Sequence, residues 1–341
     1  IVGGVNNNIT ADYGFIGGGD NNAVTASGGA AFGVSNRVSG FNAVSFGSQN
    51  TVLGEGGAAF GRNNRSSGIS STVFGEENQA LNGNAIAGGY QSYTNGGSSI
   101  AIGWADSITD FAVGAAIVGG VNNNITADYG FIGGGESNSV SATGGAAFGA
   151  SDTASGYLSF AANRNNRASG NHSAVFGQYN RAPSLNEFVV GMYATKYTPT
   201  SPSISNANDR LFVVGNGIDE SNRSNAITVL KSGNTGIGHE TPVSSLDVDG
   251  TLGVKVKTGL AAGTDNPDEE AVVYIYSGGT GSIALPTASS VTNRVYTIVN
   301  STGGVRTITS YVNLNGASVS NIGNGTSIEI ISDGTNWYQI R

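Results

Sequence analysis

The sequence has no cysteine, so neither disulfides nor thiol chemistry are available to it. Charged residues make up only 11% of the 341 positions, far below the roughly 25% of ordinary globular domains. Acidic residues outnumber basic ones, 23 to 15, and no basic stripe is present of the kind that neutralises phosphates. We therefore expect no nucleic-acid partner. No apolar run approaches the ~18 residues of a transmembrane helix, so we expect no membrane-embedded segment.

Proline and histidine are also scarce. There are 6 prolines beside 55 glycines, and the glycines follow no Gly-X-Y period, which excludes collagen. The two histidines, His172 and His239, lie near no cysteine or suitably spaced histidine, so we predict no metal site. Asp and Glu are scattered, and no pair can be assigned to one cleft as glycoside hydrolysis requires. We predict no catalytic residue and no cofactor.

The dominant feature of the chain is a repeat of 14 residues. Most units have Gly three positions before an anchor residue that is usually Asn or Asp, and these residue types favour turns. The anchors are assigned to Asn8, Asn22, Asn36, Asn50, Asn64, Asn78, Ser92, Asp106, then after a step of 18 to Asn124, Asn138, Asp152, Asn166, Asn180 and Ala194. Two turns and two short extended runs per unit predict one coil of a parallel β-solenoid.

Phenylalanine recurs four residues before the anchor, at Phe32, Phe46, Phe60, Phe74, Phe148 and Phe176. Aliphatic residues recur six before it, as at Val44, Ile86 and Ile100. Since side chains alternate between the two faces of a strand, we predict that both columns point inward and form the core. On this interpretation Phe46 is buried, and Gln49 lies beside a solvent-exposed turn.

Residues 1–19 are identical to residues 117–135, which indicates an internal duplication of several coils. At its seam, between Asp106 and Asn124, four extra residues around 108–111 are predicted to form a loop. The chain starts at Ile1 in the middle of a repeat, so we expect it to be a fragment.

Beyond residue 195 the repeat gives way to other β patterns. We predict a β-roll over 1–195, a short β shaft over 196–258, and a C-terminal antiparallel β module over 259–341. In this last region Gly278-Gly279, Gly303-Gly304 and Asp333-Gly334 are predicted hairpin turns. The alternation of Trp337 and Tyr338 with Ile340 places at least one of the two rings in a core.

The unit Ala-x-Phe-Gly-x-x-Asn at this period resembles the head repeat of YadA-like trimeric autotransporter adhesins, over about residues 1–195. That resemblance implies a left-handed parallel β-roll with three chains side by side. Gly236-Ile237-Gly238 and the run Leu246-Asp247-Val248-Asp249-Gly250 resemble the shaft of phage tail fibres, and residues 332–338 resemble their terminal β module. The combination is similar to the mosaic trimeric adhesive fibres of predatory bacteria.

We therefore expect an all-β homotrimeric fibre outside the cell, or on a virion, whose tip recognises a surface glycan or another receptor. A homotrimer is also expected because a 14-residue coil encloses a thin core on its own. The alternative is a tailspike-like enzyme that degrades a surface polysaccharide. Candidate receptor-binding residues are the exposed aromatics Tyr90, Tyr93 and Trp104 on the roll, and Gly279, Thr302 and Asn315 in C-terminal loops. The alternative for the roll aromatics, which we favour about two to one, is that they cover the seam between the chains of a trimer, because interfaces are enriched in Tyr and Trp.

Overall fold

The computed structural model describes residues 1–109 and 112–341. Two compact units, Ile1–Gly250 and Thr251–Arg341, divide the chain. The first unit confirms the predicted parallel β-solenoid: within the described residues, each coil contributes one longer and one shorter strand to two parallel stacks. We call these stacks the long sheet and the short sheet.

The long sheet of the roll consists of Phe15–Asp20, Ala30–Val34, Val44–Ser48, Ala58–Arg62, Thr72–Glu76, Ile86–Tyr90, Ile100–Trp104, Ala116–Ile117, Phe131–Glu136, Ala146–Ala150, Phe160–Arg164, Ala174–Gln178 and Phe188–Met192. The short sheet consists of Asn8–Ile9, Ala23–Val24, Arg37–Val38, Thr51–Val52, Arg65–Ser66, Gln79–Ala80, Tyr93–Thr94, Ser107–Ile108, Asn124–Ile125, Ser139–Val140, Thr153–Ala154, Arg167–Ala168 and Arg181–Ala182. Strands in each stack pair in register with the equivalent residues of the next coil, as Phe32 does with Phe46.

A ladder of buried asparagines joins the coils at the corner between the two sheets. The Asn36 backbone N–H donates to Asn22 Oδ1 at 3.0 Å, and the Asn50 backbone N–H donates to Asn36 Oδ1 at 3.1 Å. The Asn36 Nδ2 donates to the carbonyl oxygens of Phe32 and Gly47, at 3.1 and 2.8 Å. The anchor position is therefore Asn because only a side chain with both an acceptor and two donors satisfies these buried backbone groups.

The core lies on the other strand face from the one predicted. Inward-pointing residues are five before the anchor on the long sheet and two after it on the short sheet, as at Ala59 and Val52, and both are fully buried. The predicted core ring Phe46 is instead 40% exposed, and Phe60 likewise. The assignment was wrong by one residue, which exchanges the faces of a strand. The buried hydrophobic residues between the two sheets are Ala, Val and Ile, and none of them is aromatic.

Two predicted anchors are also displaced by one residue. The Asn22 backbone N–H donates to Asn7 Oδ1, and the Asn138 N–H donates to Asn123 Oδ1, so Asn7 and Asn123 occupy the ladder instead of Asn8 and Asn124. The coils that follow Asn7 and Asn123 have 15 residues, with the register shift at their triple glycines, and the coil after Asp106 has 17. Of the loop predicted at the duplication seam, residues 110 and 111 lie outside the described residues.

The long sheet continues beyond residue 195. Arg210–Asn216 pairs in parallel with Phe188–Met192, and Asn225–Leu230 and Thr235–Ile237 follow as antiparallel neighbours. Leu246–Val248 then pairs in parallel with Thr235–Ile237. The strands predicted as a shaft are thus hydrogen-bonded to the sheet of the roll.

The second unit is a seven-stranded mixed sheet, not the antiparallel one predicted. Its strands are Val256–Ala262, Val273–Gly279, Val295–Asn300, Arg306–Val312, Ser318–Ile322, Thr326–Ser332 and Trp337–Gln339, with one 3₁₀ turn at Ala288–Ser290. The first three strands pair in parallel. Consequently Gly278-Gly279 and Gly303-Gly304 are not hairpin turns, whereas Asp333-Gly334 joins an antiparallel pair as predicted. Trp337 is buried, which confirms that one of the two terminal rings belongs to the core.

Candidate functional site

The outer surface of the long sheet is a ladder of aromatic rings, which we call the Phe face. Its members are Phe15, Phe32, Phe46, Phe60, Phe74, Phe131, Phe148, Phe160, Phe176, Phe188 and Phe212. Phe32 and Phe46 stack with ring centroids 4.4 Å apart, and Phe46 and Phe60 stack at 5.6 Å. Each ring is partly exposed in the single chain. The rings form two runs, from Phe15 to Phe74 and from Phe131 to Phe212, with Gly88 and Ile102 among the residues between them. Exposed apolar surfaces of this kind mark interaction sites.

Glycines on the Phe face make room for rings of neighbouring coils. A Cβ atom on Gly17 would lie 2.2 Å from the Phe32 ring, and one on Gly133 would lie 2.1 Å from the Phe148 ring. A Cβ on Gly88 would lie 2.2 Å from the Phe74 ring. The rings therefore lie flat along the sheet, and they fill the space that these glycines leave between neighbouring coils.

Tyr90 and Trp104 form an aromatic pair in adjacent coils, as predicted, but Tyr90 is half-buried and Trp104 alone is exposed. The two are register partners, and their rings meet edge to face with centroids 5.8 Å apart. Trp104 is 58% exposed. Tyr93 does not join them, because it lies on the short sheet, in register with Gln79.

A polar groove runs along the corner between the sheets. Its walls are the residues directly before and directly after the buried anchors, and we call it the corner groove. Over four coils it encloses about 480 Å³ and is lined by Gln49, Thr51, Asn63, Asn64, Arg65, Glu77, Gln79 and Gln91. Gln91 Nε2 donates to Glu77 Oε2 at 2.8 Å. The side-chain amides and hydroxyls of the groove repeat at the spacing between strands, and they can form hydrogen bonds with the hydroxyl groups of an extended sugar chain.

The C-terminal candidates are distributed over two regions of the second unit. Gly279 ends the strand Val273–Gly279, and the neighbouring Ser301 backbone N–H donates to the Tyr276 carbonyl at 2.8 Å, so Gly279 and Thr302 lie at the same sheet edge. Thr302 is half-buried, and its hydroxyl donates to Asn300 Oδ1. Asn315 is in the hairpin after Val312, at the far end of a seven-residue strand, roughly 20 Å away.

A buried ionic cluster at the end of the roll was not foreseen from the sequence. Glu187 Oε2 accepts from the Ser184 N–H at 3.0 Å and from the Tyr197 hydroxyl at 3.2 Å. The Arg210 guanidinium lies 4.4 Å from the Tyr197 ring and 3.4 Å from Glu240. Burial raises the pKa of Glu187 to about 7. Most of these residues lie far apart in the sequence, so no short sequence pattern predicts the cluster.

A pocket of about 240 Å³ adjoins this cluster and is lined by Tyr197, Asn208, Arg210, Leu230, Glu240, Thr241, Pro242 and Val243. Glu240 is the one carboxylate in this lining. Glu187 is fully enclosed and bonded to its own neighbours, so the pocket does not present the two facing carboxylates of a glycosidase.

Two acids occupy positions of the Asn ladder. Asp152 Oδ1 accepts from the Asn166 N–H at 2.7 Å, whereas Asp152 Oδ2 is buried without a partner, and Asp106 Oδ2 likewise. Burial raises the pKa of Asp106, and raises that of Asp152 to about 6.

The part of the chain that the structure describes contains no group of three or more His, Cys, Asp or Glu residues placed to hold a metal ion. It likewise contains no helix long and apolar enough to cross a membrane. Comparison with models of known protein families gives no match, and comparison with characterised proteins gives none either.

Proposed function

We propose that this chain is the adhesive part of a homotrimeric extracellular fibre that binds a glycan or another receptor on the surface of a target cell, without catalysing a reaction. The observation that supports assembly is the Phe face. Burying one partly exposed Phe ring contributes about 1–2 kcal/mol, and the ladder repeats this gain over most coils. Three copies related by a closed rotation would cover all three faces.

The receptor-binding role is supported by features other than the phenylalanine rings themselves. The Tyr90 and Trp104 rings offer apolar faces of the kind that stack on sugar rings. The corner groove offers polar groups at regular spacing. A trimer would present each surface three times, so weak single sites gain avidity on a repetitive cell surface.

Assembly is tested by light scattering on the full chain. One chain has a mass of 34.3 kDa, so a trimer has about 103 kDa. The double variant Phe46→Ser/Phe60→Ser is expected to give monomers with unchanged circular dichroism, because neither ring belongs to the chain's own core. Tyr13→Ser, a change to a 91% exposed ring outside the Phe face, is the matched control and should remain trimeric. A wild-type mass near 34 kDa would refute the trimer.

Receptor recognition is tested with a glycan array and with target cells. A chain shortened after Gly250 retains the whole first unit. If it binds as well as the full chain, the site is on the roll, and Trp104→Ala should weaken binding about tenfold, which corresponds to the loss of one stacked ring. If binding is lost, the loops bearing Gly279, Thr302 and Asn315 become the better candidates. Shortening of a polysaccharide by the purified protein would instead establish the enzyme.

A further inference from the structure

Two arginines near the end of the roll are placed as like charges side by side. Arg167 and Arg181 are register partners on the short sheet, about 4.8 Å apart along the stack. Both side chains are exposed, and within the described residues neither forms an ion pair or a side-chain hydrogen bond. The same holds for the exposed Arg164. Like charges directly opposite each other on a sheet are destabilising.

Other arginines of the roll have partners. Arg62 is paired with Glu76 of the next coil. Arg37 and Arg65, in the same column as Arg167, donate to Ser39 and Ser67 at 3.4 and 2.9 Å. An unpartnered arginine pair in a chain of net charge −8 therefore needs an explanation other than the general composition.

The facing column of the corner groove carries a stacked tyrosine pair at this point. Tyr179 and Tyr193 directly precede their anchors, as Asn63 and Glu77 do in the polar stretch of the groove, and their rings are 4.8 Å apart and nearly parallel. Arg223 Nη1 donates to the carbonyl oxygens of Tyr179 and Ala194, both at 2.8 Å, and its guanidinium lies 5.4 Å from the Tyr193 ring. The ring pair is thus held in place.

The carboxylates around this stretch are already engaged. Glu220 is paired with Arg223 at 2.5 Å and with Lys196. Asp152 is buried in the ladder, and the neighbouring groove positions Thr153 and Asn165 are neutral. No carboxylate of the described chain neutralises Arg167 or Arg181.

We propose that this end of the corner groove binds a carboxylated glycan. The sugar carboxylate would lie between the guanidinium groups of Arg167 and Arg181, and the ring of the sugar would pack against Tyr179, because the Tyr193 ring lies between Tyr179 and the Arg223 guanidinium. Guanidinium forks bind carboxylates in a bidentate manner, and the bound anion removes the repulsion between the two arginines. The inference rests on the proposed function, since it specifies the chemical class of the receptor.

The charge distribution favours a ligand with widely separated carboxylates over a polyanion with closely spaced charges. Only Arg164, Arg167 and Arg181 are free at this site, and the chain as a whole is negative. Nucleic acid carries a charge on every nucleotide and needs many phosphate contacts, so it would be repelled beyond this short stretch. A glycan that alternates acidic and neutral sugars avoids this repulsion.

The test is an array of uronic-acid and sialic-acid oligosaccharides printed beside their methyl esters, which keep the ring and lose the charge. We expect the full-length protein to bind acids at least tenfold more tightly than esters, and Arg167→Gln/Arg181→Gln to abolish the difference. Arg37→Gln, in the same column but without facing tyrosines, is the matched control. Free acid should also raise the melting temperature of the wild type and not of the double variant.

Equal binding of acids and esters, binding to no acid, or tighter binding to a short single-stranded oligonucleotide would overturn the inference. So would a double variant that loses the trimer mass, since the arginines would then pair with a second copy of the chain. If neutral glycans or target cells are still bound in any of these cases, the adhesive function stands and this site alone is rejected. If the wild type binds no glycan and no cell, the proposed function fails as well.

Discussion

Asp152 differs from its neighbours in the ladder by a single group. At Asn138 the amide Nδ2 donates to the carbonyl oxygens of Gly134 and Gly149, at 3.1 and 2.8 Å. The corresponding atom of Asp152, Oδ2, has no hydrogen to donate when the acid is ionised, and by the repeat it faces two carbonyl oxygens. The residues bonded to it along the ladder, Asn138 and Asn166, are neutral. Protonation therefore restores a donor, which agrees with the raised pKa.

We predict that Asp152→Asn stabilises the protein at pH ~7.5 by about 1–3 kcal/mol, the cost of a buried unsatisfied group. The unfolded acid has a pKa of 3.8 and the folded one about 6, so the native state binds the extra proton between these values. The wild type should therefore lose stability relative to the variant as pH rises from about 4 to 6. The measurement is thermal unfolding of both proteins across this range.

The reverse substitution in the adjoining coil, Asn138→Asp, provides the control. It should lower the melting temperature at neutral pH and should show the pH dependence that Asp152→Asn removes. If both variants unfold like the wild type at every pH, the ladder does not shield these side chains from water.

The side to which Phe46 points could not be predicted from its hydrophobicity. Both faces of the long sheet are largely apolar, mostly Ala, Val or Ile on the buried one and Phe, Ile or Val on the other, so alternation alone allows two registers. Size suggested that the larger residue is inside. The two sheets are too close together for an aromatic ring to fit between them. Their separation depends on the length of the coil and on the asparagine ladder, and a hydrophobicity scale for single residues contains neither.

At the level of the coil, the glycine three residues before most anchors sets how closely neighbouring coils stack. Gly47 has a φ of 119°, and a Cβ there would lie 2.0 Å from the Gly61 carbonyl oxygen. No L-residue adopts this geometry without strain, and the neighbouring backbone cannot retreat without breaking its own ladder.

We predict that Gly47→Ala destabilises the roll by at least about 2 kcal/mol. Gly97→Ala is the matched control: a Cβ there meets no atom within 4 Å and its φ is not in the left-handed region, so its effect should stay within about 0.5 kcal/mol. Denaturant titration of the two variants makes the comparison. Similar midpoints would mean that coil stacking tolerates a wider spacing.

Coil boundaries could be predicted only where the repeat was regular. In the run Asn6-Asn7-Asn8, a strict 14-residue step back from Asn22 selects Asn8, although only Asn6 and Asn7 have glycine three residues earlier. The extra residue is absorbed at a triple glycine, where the sequence is equally uniform. The positions of Tyr90 and Trp104 were predicted correctly as neighbours because an unbroken 14-residue step connects them. The same step places Arg167 beside Arg181 and Tyr179 beside Tyr193, a signal that the sequence contains and that inspection by column would have found.

At the scale of the whole chain, the two compact units differ in the kind of core they have. The first has buried Ala, Val and Ile residues spread along the roll, whereas the second gathers Tyr274, Tyr276, Tyr296 and Trp337 into one cluster. We predict that a fragment of residues 251–341 folds alone and melts at the same temperature as one of two transitions of the full chain in calorimetry. A fragment without cooperative unfolding would show that the second unit depends on the first.

The identity of residues 1–19 and 117–135 has a consequence for how such a molecule changes length over generations. The two copies are offset by 116 residues, which span eight rungs of the ladder from Asn7 to Asn123. Recombination between their coding segments would remove or add whole coils and leave every junction in phase, because the sequence on each side of the crossover is the same. One such event alters the reach by roughly 38 Å, eight strand spacings. Length is then inherited as a copy number, and it can vary between sister lineages while all pairings between neighbouring coils are preserved.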